Sequence, residues 1–175
     1  MTNILIIGAG GQIARVATAE LLERTDAHLT LFLRRPAQAA GLPEDRVTVV
    51  AGDATDPDAV AAAVQGQDVA YANLAGRMAD AARTIVTAMD AAGVRRLIFI
   101  SSMGVDDEIP GQHVGPVLDP YREAARVVEA SDLDYTLIRP AWLSDSREKS
   151  PTGRRRNPNP SRTPTPRCRA AASRT

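Results

Sequence analysis

Three glycines near the start of the chain have the spacing of a phosphate-binding turn. Residues 4–7 are an unbroken aliphatic run, which predicts a strand covered on both faces, and a turn and a helix follow at once. Gly8 allows a tight turn, Gly11 lets backbone N–H groups approach a pyrophosphate, and the small Ala14 lets the helix lie close to the strand. We predict that the N-terminus of this helix binds nucleotide phosphates, against the alternative of an ordinary strand-to-helix turn. The expected contacts are Gly8, Gly10, Gly11, Gln12 and Ile13.

Two arginines follow the second predicted strand. An acid at this place would accept hydrogen bonds from the ribose 2′-hydroxyl of a dinucleotide, whereas this chain has Arg34 and Arg35. Because two guanidinium groups suit a 2′-phosphate, the sequence favours NADP(H) over NAD(H). The alternative is a solvated basic corner, since exposed arginines are common.

Small and polar residues follow the next three strands. After the third strand, an acid can accept a hydrogen bond from an adenine amino group. After the fourth, small residues allow a flat ligand to lie on the backbone. After the fifth, a hydroxyl can orient a substrate carbonyl near the nicotinamide, which makes the two serines there the candidate catalytic residues. Each group has the alternative of ordinary turn chemistry. In chain order they are Asp53 and Ala54; Asn73, Leu74, Ala75 and Gly76; and Ser101 and Ser102, of which Ser101 is also a candidate cofactor contact.

Apolar strands alternate with helical patterns along most of the chain, which predicts repeated β-α-β units. Right-handed crossovers then give an α/β doubly wound parallel sheet, a Rossmann fold, of about six strands with ligands at their carboxyl ends. The predicted strands are residues 4–7, 28–33, 47–51, 68–72, 96–100 and 135–138. The predicted helices are residues 12–23, one beginning at Asp56, 78–92 and 121–130.

Length and composition limit the class of protein. A chain of 175 residues with a hydrophobic fraction of 44% allows one ordinary domain with a sizeable core. No apolar run reaches the length of about 20 residues that crosses a bilayer, and no signal peptide is recognisable, so we expect a cytoplasmic protein. Cys168 is the only cysteine, which excludes a disulfide within the chain and a cysteine-based metal cluster. No metal site is predicted.

Charge and composition change near residue 146. Residues 1–145 carry 12 arginines against 20 acidic residues, a net charge of −8, whereas residues 146–175 carry +8. The second segment contains no Val, Ile, Leu, Met, Phe, Tyr or Trp, so it cannot build a core. We expect an NAD(P)-binding domain over residues 1–145 and a non-globular, disordered basic tail over residues 146–175. The alternative is a basic arm that binds nucleic acid or an acidic surface, and the lack of interleaved aromatic residues disfavours nucleic acid.

Five stretches together resemble the atypical short-chain dehydrogenase/reductases, specifically the NAD(P)H-binding, NmrA-like group that includes small flavin and biliverdin reductases. They are residues 8–14, 52–56, 73–76, 97–104 and 131–140, and the resemblance covers residues 3–143. The resemblance implies an NADPH-dependent reductase of a flavin, quinone or similar small-molecule acceptor. It also implies that Arg34 reads the 2′-phosphate, that Asp53 lies by the adenine, and that Pro140 with Ala141 borders the nicotinamide.

The chain departs from this family at a catalytic pair. Members that reduce carbonyl groups use a tyrosine followed four residues later by a lysine, which lowers the tyrosine pKa so that it can deliver a proton. Here Ala125 follows Tyr121 at that spacing, and the only lysine is Lys149 in the predicted tail. We therefore do not expect alcohol dehydrogenase chemistry. Hydride transfer to an electron-poor ring needs no such acid, and a sensor that holds NADP(H) without turnover is the alternative.

The predicted tail is a second departure, because family members continue with further folded elements after the Arg139-Pro140 turn. The body has the composition of a GC-rich gene, and a shifted reading frame of such a gene yields Arg, Pro, Ala and Ser. One hypothesis is therefore that a frameshift near residues 144–148 replaced the native C-terminus and left a truncated, inactive member. Translation of the coding DNA in the other two reading frames tests this hypothesis. The absence of a family-like continuation in both frames would contradict it.

Overall fold

The aliphatic runs of the sequence form six strands in a single parallel sheet. The computed structural model describes residues 1–106 and 115–141 of the chain. The strands lie in the order β3-β2-β1-β4-β5-β6, and neighbours pair in parallel. This is the strand order of a Rossmann fold, so the predicted architecture is confirmed. The strands are β1 (Asn3–Ile7), β2 (His28–Leu33), β3 (Val47–Ala51), β4 (Val69–Ala72), β5 (Arg96–Ile100) and β6 (Asp134–Ile138).

Local sequence signals set the ends of the helices. Before α2 the Asp56 carboxylate accepts hydrogen bonds from the N–H groups of Asp58 and Ala59, which caps the helix as its sequence predicts. Gly93 ends α3 in the left-handed conformation with φ of 71°. The helices are α1 (Gln12–Arg24), α2 (Pro57–Val64), α3 (Met78–Ala92) and α4 (Asp119–Glu129), with 3₁₀ turns at Pro36–Ala39 and Gly115–Leu118.

The predicted start of α4 at Tyr121 is two residues too late. The helix begins at Asp119, and Pro120 lies in its first turn. Proline is favoured there because its fixed φ suits a helix and its missing N–H would have no partner in the helix.

Alternate residues of the strands pack on opposite faces of the sheet. On one face Leu5 and Ile7 of β1 pack with side chains of α2, α3 and α4. On the other face Ile6 packs with side chains of α1. β1 is therefore buried on both sides at the centre of the sheet, which explains its continuous aliphatic sequence.

Two regions of the sequence lie outside the described residues. Residues 107–114 form the first, and residues 142–175, which include the predicted tail, form the second. Among the residues that the structure does describe, no helix is both long enough and apolar enough to span a bilayer.

Candidate cofactor-binding site

The turn after β1 is shaped for close approach of the backbone. Gly8 has φ of 76°, and a Cβ at this position would lie 2.1 Å from the carbonyl oxygen of Asn73. A Cβ on Gly11 would lie 2.4 Å from Nδ2 of Asn73. Gly11 is the N-cap of α1 and has no side chain with which to cap the helix. An anionic ligand can therefore approach the first-turn N–H groups and the positive end of the helix dipole.

A cavity of about 710 Å³ opens beside this turn, which is within the range of roughly 300–1,000 Å³ typical of small-molecule sites. Its wall brings together every residue predicted from the glycine turn and from the ends of β2, β3 and β4. These residues are Gly8, Gly10, Gly11, Gln12, Ile13, Arg34, Arg35, Asp53, Ala54, Asn73, Leu74, Ala75 and Gly76. Their contacts with a cofactor stay a prediction, but they share one cavity of suitable size.

The cavity also has lining residues that sequence reasoning missed. Gln38 lies on the 3₁₀ turn after the two arginines, and a Cβ on Gly10 would lie 2.3 Å from its Oε1 atom. Arg77 directly follows the predicted Gly76, so its position after a strand end was a usable signal. Leu33, Gly52 and Thr55 are also next to predicted residues. Gln38 and Ala81 depend on packing that no local pattern reveals. The missed residues are Phe32, Leu33, Gln38, Gly52, Thr55, Arg77, Ala81 and Tyr121.

Arg34 and Arg35 are exposed at the carboxyl end of β2, and both line the cavity. Within the described part of the chain, neither forms a salt bridge with a carboxylate. Their guanidinium groups therefore remain available for an anion in the cavity, which is the arrangement that a 2′-phosphate requires.

Asp53 is held in place by Thr55. The backbone N–H of Thr55 donates to Oδ1 of Asp53 at 2.9 Å, and the Thr55 hydroxyl donates to the same oxygen at 2.8 Å. These two bonds, helped by the positive charges of Arg34 and Arg77, hold the pKa of Asp53 below its ordinary value of 3.8, although partial desolvation opposes them. Asp53 is thus a carboxylate at neutral pH and can only accept hydrogen bonds.

Four predicted residues lie at the same edge of the sheet but are not among the residues that line the cavity. The Ser101 side chain is 3% exposed, and its hydroxyl has no hydrogen-bond partner among the described residues. The Ser102 hydroxyl donates to the carbonyl of Met103 at 3.1 Å. Their proposed role near the nicotinamide stays a prediction, as does that of the other two residues, Pro140 and Ala141.

Tyr121 lines the cavity from the first turns of α4. One helical turn later, at the position of the family's lysine, Ala125 is 3% exposed and packed inside the protein. The structure therefore supplies no ammonium group beside the Tyr121 hydroxyl from this helix position. The tyrosine is present at the site without the partner that would make it a strong proton donor.

Known proteins share this fold. A sequence model of the NAD(P)H-binding family matches residues 8–172. A Rossmann-fold NAD(P)-binding family protein from Shigella flexneri is 41% identical, with a TM-score of 0.73 over 84% of this chain and 71% of that chain. A short-chain dehydrogenase/reductase from Veillonella parvula, solved in complex with NADP, is 30% identical, with a TM-score of 0.70 over 84% of this chain and 72% of that chain.

A third relative, quinone oxidoreductase 2 from Escherichia coli, is 28% identical over 147 residues, or 82% of this chain. The chain spans only 50% of the length of that relative. The structure of the E. coli enzyme with NADPH superposes with a TM-score of 0.68 over 79% of this chain and 49% of that chain. Because the family match covers most of its length, the chain belongs to the NAD(P)H-binding family of Rossmann-fold proteins, within the atypical short-chain dehydrogenase/reductases.

Proposed function

We propose that this protein is an NADPH-dependent oxidoreductase that acts on a flat, electron-poor acceptor such as a quinone or a flavin. The observation that carries the proposal is a single cavity that joins the glycine turn at the N-terminus of α1 to Arg34 and Arg35. In this arrangement the helix N-terminus would hold the pyrophosphate, and the two arginines would hold the 2′-phosphate.

The relatives support both the cofactor and the acceptor that we propose. The Veillonella relative is bound to NADP, and the E. coli relative is bound to NADPH, so the 2′-phosphate has precedent in this group. Quinone oxidoreductase 2 also supplies the precedent for the acceptor. Since this chain spans half of that enzyme, the chemistry of the cavity bears on the choice of acceptor as well.

That chemistry favours an acceptor that needs little help from a protein acid. When bound, NADPH supplies the hydride. Ala125 leaves Tyr121 without a neighbouring lysine on α4, and the described residues that line the cavity include no lysine or histidine to protonate an alcohol product. The chain's own contribution is to hold the two flat rings in contact, while water protonates the product.

Titration of NADPH and NADH into the protein, followed by measurement of NADPH oxidation with quinone and flavin acceptors, tests the proposal. We expect saturable binding that favours NADPH, and turnover with at least one of the two acceptor classes. Failure to bind either dinucleotide would overturn the proposal, and it would also count against residues 1–145 as an NAD(P)-binding domain.

A second candidate function is a redox sensor that holds NADP(H) without turnover. The buried Ala125 at the position of the lysine favours it, because a protein that only binds NADP(H) needs no proton donor. Tight NADPH binding without oxidation by any acceptor would support the sensor, or a truncated inactive member, over the reductase.

A further inference from the structure

We propose that Arg77 is a further determinant of NADPH specificity, which binds the 2′-phosphate together with Arg34. The inference rests on the proposed function, because it concerns another ligand of the same dinucleotide. The sequence assigns the 2′-phosphate to Arg34 and Arg35, which follow β2. Arg77 comes from a different part of the chain, the loop between β4 and α3.

Arg77 occupies a helix position that its residue type does not suit. It is the N-cap of α3, where Ser, Thr, Asp or Asn usually accepts a hydrogen bond from a backbone N–H, and its side chain makes no capping bond. Its positive charge also lies at the positive end of the helix dipole, which is unfavourable. A residue that opposes the local helix signals is a candidate for a role in function.

The side chain of Arg77 lies at the same end of the cavity as that of Arg34. Both residues line the cavity, and so does Asp53. The positive charges of Arg34 and Arg77 both lower the pKa of Asp53, so both guanidinium groups are close to this one carboxylate. An anion that Arg34 binds is therefore within reach of the long side chain of Arg77.

Asp80 holds Arg77 by one nitrogen and leaves the others available. Nε of Arg77 donates to Oδ2 of Asp80 at 2.9 Å, and its two Nη groups have no hydrogen-bond partner among the residues that the structure describes. Because the two side chains are 75% and 44% exposed, this ion pair adds little to stability. It does restrict the guanidinium near the cavity wall, which lowers the entropy cost of binding an anion.

A 2′-phosphate offers more acceptors than one arginine can satisfy. It is a monoester with three terminal oxygens and a charge of about −1.5 to −2 at neutral pH, whereas the fork of one guanidinium binds two oxygens. A second guanidinium can bind the remaining oxygen and offset more of the charge. NADH has a neutral hydroxyl at the same place, so its binding gains much less from Arg77.

Arg83 provides a matched control. Its Nη1 donates to Oδ1 of the same Asp80 at 2.9 Å, and its side chain is 59% exposed. Arg83 is not among the described residues that line the cavity. Arg77→Ala and Arg83→Ala therefore each remove one positive charge and one exposed ion pair with Asp80, but only Arg77→Ala changes the cavity wall.

The experiment is a fluorescence titration of the wild type, Arg77→Ala and Arg83→Ala with NADPH and with NADH, at two salt concentrations. We expect Arg77→Ala to bind NADPH about tenfold more weakly than the wild type does and NADH within about twofold, because it loses one charged hydrogen bond at an exposed site. Arg83→Ala should bind both dinucleotides within about twofold of the wild type. The loss of NADPH affinity in Arg77→Ala should be smaller at high salt, which screens exposed charges.

An equal loss of NADPH and NADH affinity in Arg77→Ala would overturn the inference, because it would assign Arg77 to the pyrophosphate that both dinucleotides share. An unchanged NADPH affinity in Arg77→Ala would also overturn it, as would the same loss in Arg83→Ala. These results would leave the proposed NADPH binding by the wild type intact. If the wild type bound neither dinucleotide, the proposed function would fail first and this inference with it.

Discussion

At the scale of single residues, Asn73 explains why two glycines flank the turn. Its backbone N–H donates to the carbonyl of Ile7 at 2.9 Å, which ties the end of β4 to the end of β1. As a result its carbonyl oxygen lies where a Cβ of Gly8 would be, and its side-chain amide lies against Gly11. Glycines are therefore required here by the packing between two strand ends as well as by the space that a phosphate needs.

Gly8→Ala should destabilise the fold by about 3 kcal/mol, because it combines left-handed strain with a clash against backbone. Urea unfolding measures the change. Gly66→Ala is the matched control: Gly66 has φ of 72° but no atom within 4 Å of its added Cβ, so we expect a cost of only about 1 kcal/mol. Equal costs at the two positions would show that the contact with Asn73 is unimportant.

Arg34→Ala should weaken NADPH binding by about ten- to a hundredfold and leave NADH binding nearly unchanged, since a charged hydrogen bond to the 2′-phosphate is worth about 1.5–3 kcal/mol. Fluorescence titration of both dinucleotides measures the change. Arg126→Ala removes an equal charge from an exposed site on α4 outside the cavity and serves as the control. If the Arg34→Ala variant kept its preference for NADPH, Arg34 would not be a ligand of the 2′-phosphate.

The lowered pKa of Asp53 gives a pH dependence with a definite sign. A carboxyl whose pKa is lower in the folded protein stabilises the fold above the pKa of the unfolded chain, near 3.8, and the effect is lost as pH falls through the folded value. The difference in unfolding free energy between the wild type and Asp53→Asn should thus be constant from about pH 7 to pH 5 and shrink below that. Because Asp53 is exposed, the effect is small. A difference that grew on acidification would contradict the assignment.

At the scale of elements, the sequence predicts a helix or strand well where residues within or next to that element determine its ends. The strands were predicted within one residue at each end, because buried aliphatic runs and the turns between them are local signals. The predicted α1 ends one residue short, at Glu23, and α3 matches at both ends because Gly93 marks its stop. Gln38 was missed because its place over Gly10 depends on how the 3₁₀ turn Pro36–Ala39 folds back over the glycine turn.

Among the residues of the site, too, some could be predicted from local sequence and others could not. Residues at strand ends could be predicted to share a cavity, because parallel strands bring their carboxyl ends to one edge. Gln38 and Ala81 reach the cavity from segments whose direction only packing decides. Ser101 follows the rule of strand ends, but its side chain lies in the interior and not on the cavity wall.

The short helix α2 gives a prediction at this scale. Asp56→Ala removes the side chain that accepts from the N–H groups of Asp58 and Ala59, so we expect a loss of about 1 kcal/mol in unfolding free energy. Asp45→Ala, which removes an exposed carboxylate from the turn before β3, should change stability by less than about 0.5 kcal/mol. A similar loss in both variants would mean that general charge, and not the cap, is responsible.

At the scale of the whole molecule, the cavity is built from a limited part of the chain. Among the residues that the structure describes, those that line the cavity fall between Gly8 and Tyr121. The predicted tail lies beyond them in the sequence and carries a charge opposite to that of the preceding residues. NADPH binding and the tail are therefore separable by experiment.

A chain that ends at residue 145 should bind NADPH within about twofold of the full chain's affinity at moderate salt, where long-range attraction by the basic tail is screened. Titrations of both chains at two salt concentrations measure this. A large loss of affinity in the shorter chain would show that residues 146–175 take part in binding and would contradict their assignment as a separate tail.

The central place of β1 has a consequence for how the protein is made. β1 is synthesised before both of its neighbours, β2 and β4, so its second neighbour is complete only when Ala72 has been made. Until then the Asn3–Ile7 strand has an open edge, and α3, which packs on one of its apolar faces, has not yet been made. Parallel pairing over such sequence distances is slow, and incomplete sheets of this kind aggregate. The interval between synthesis of β1 and synthesis of β4 is thus when the nascent chain most needs a chaperone.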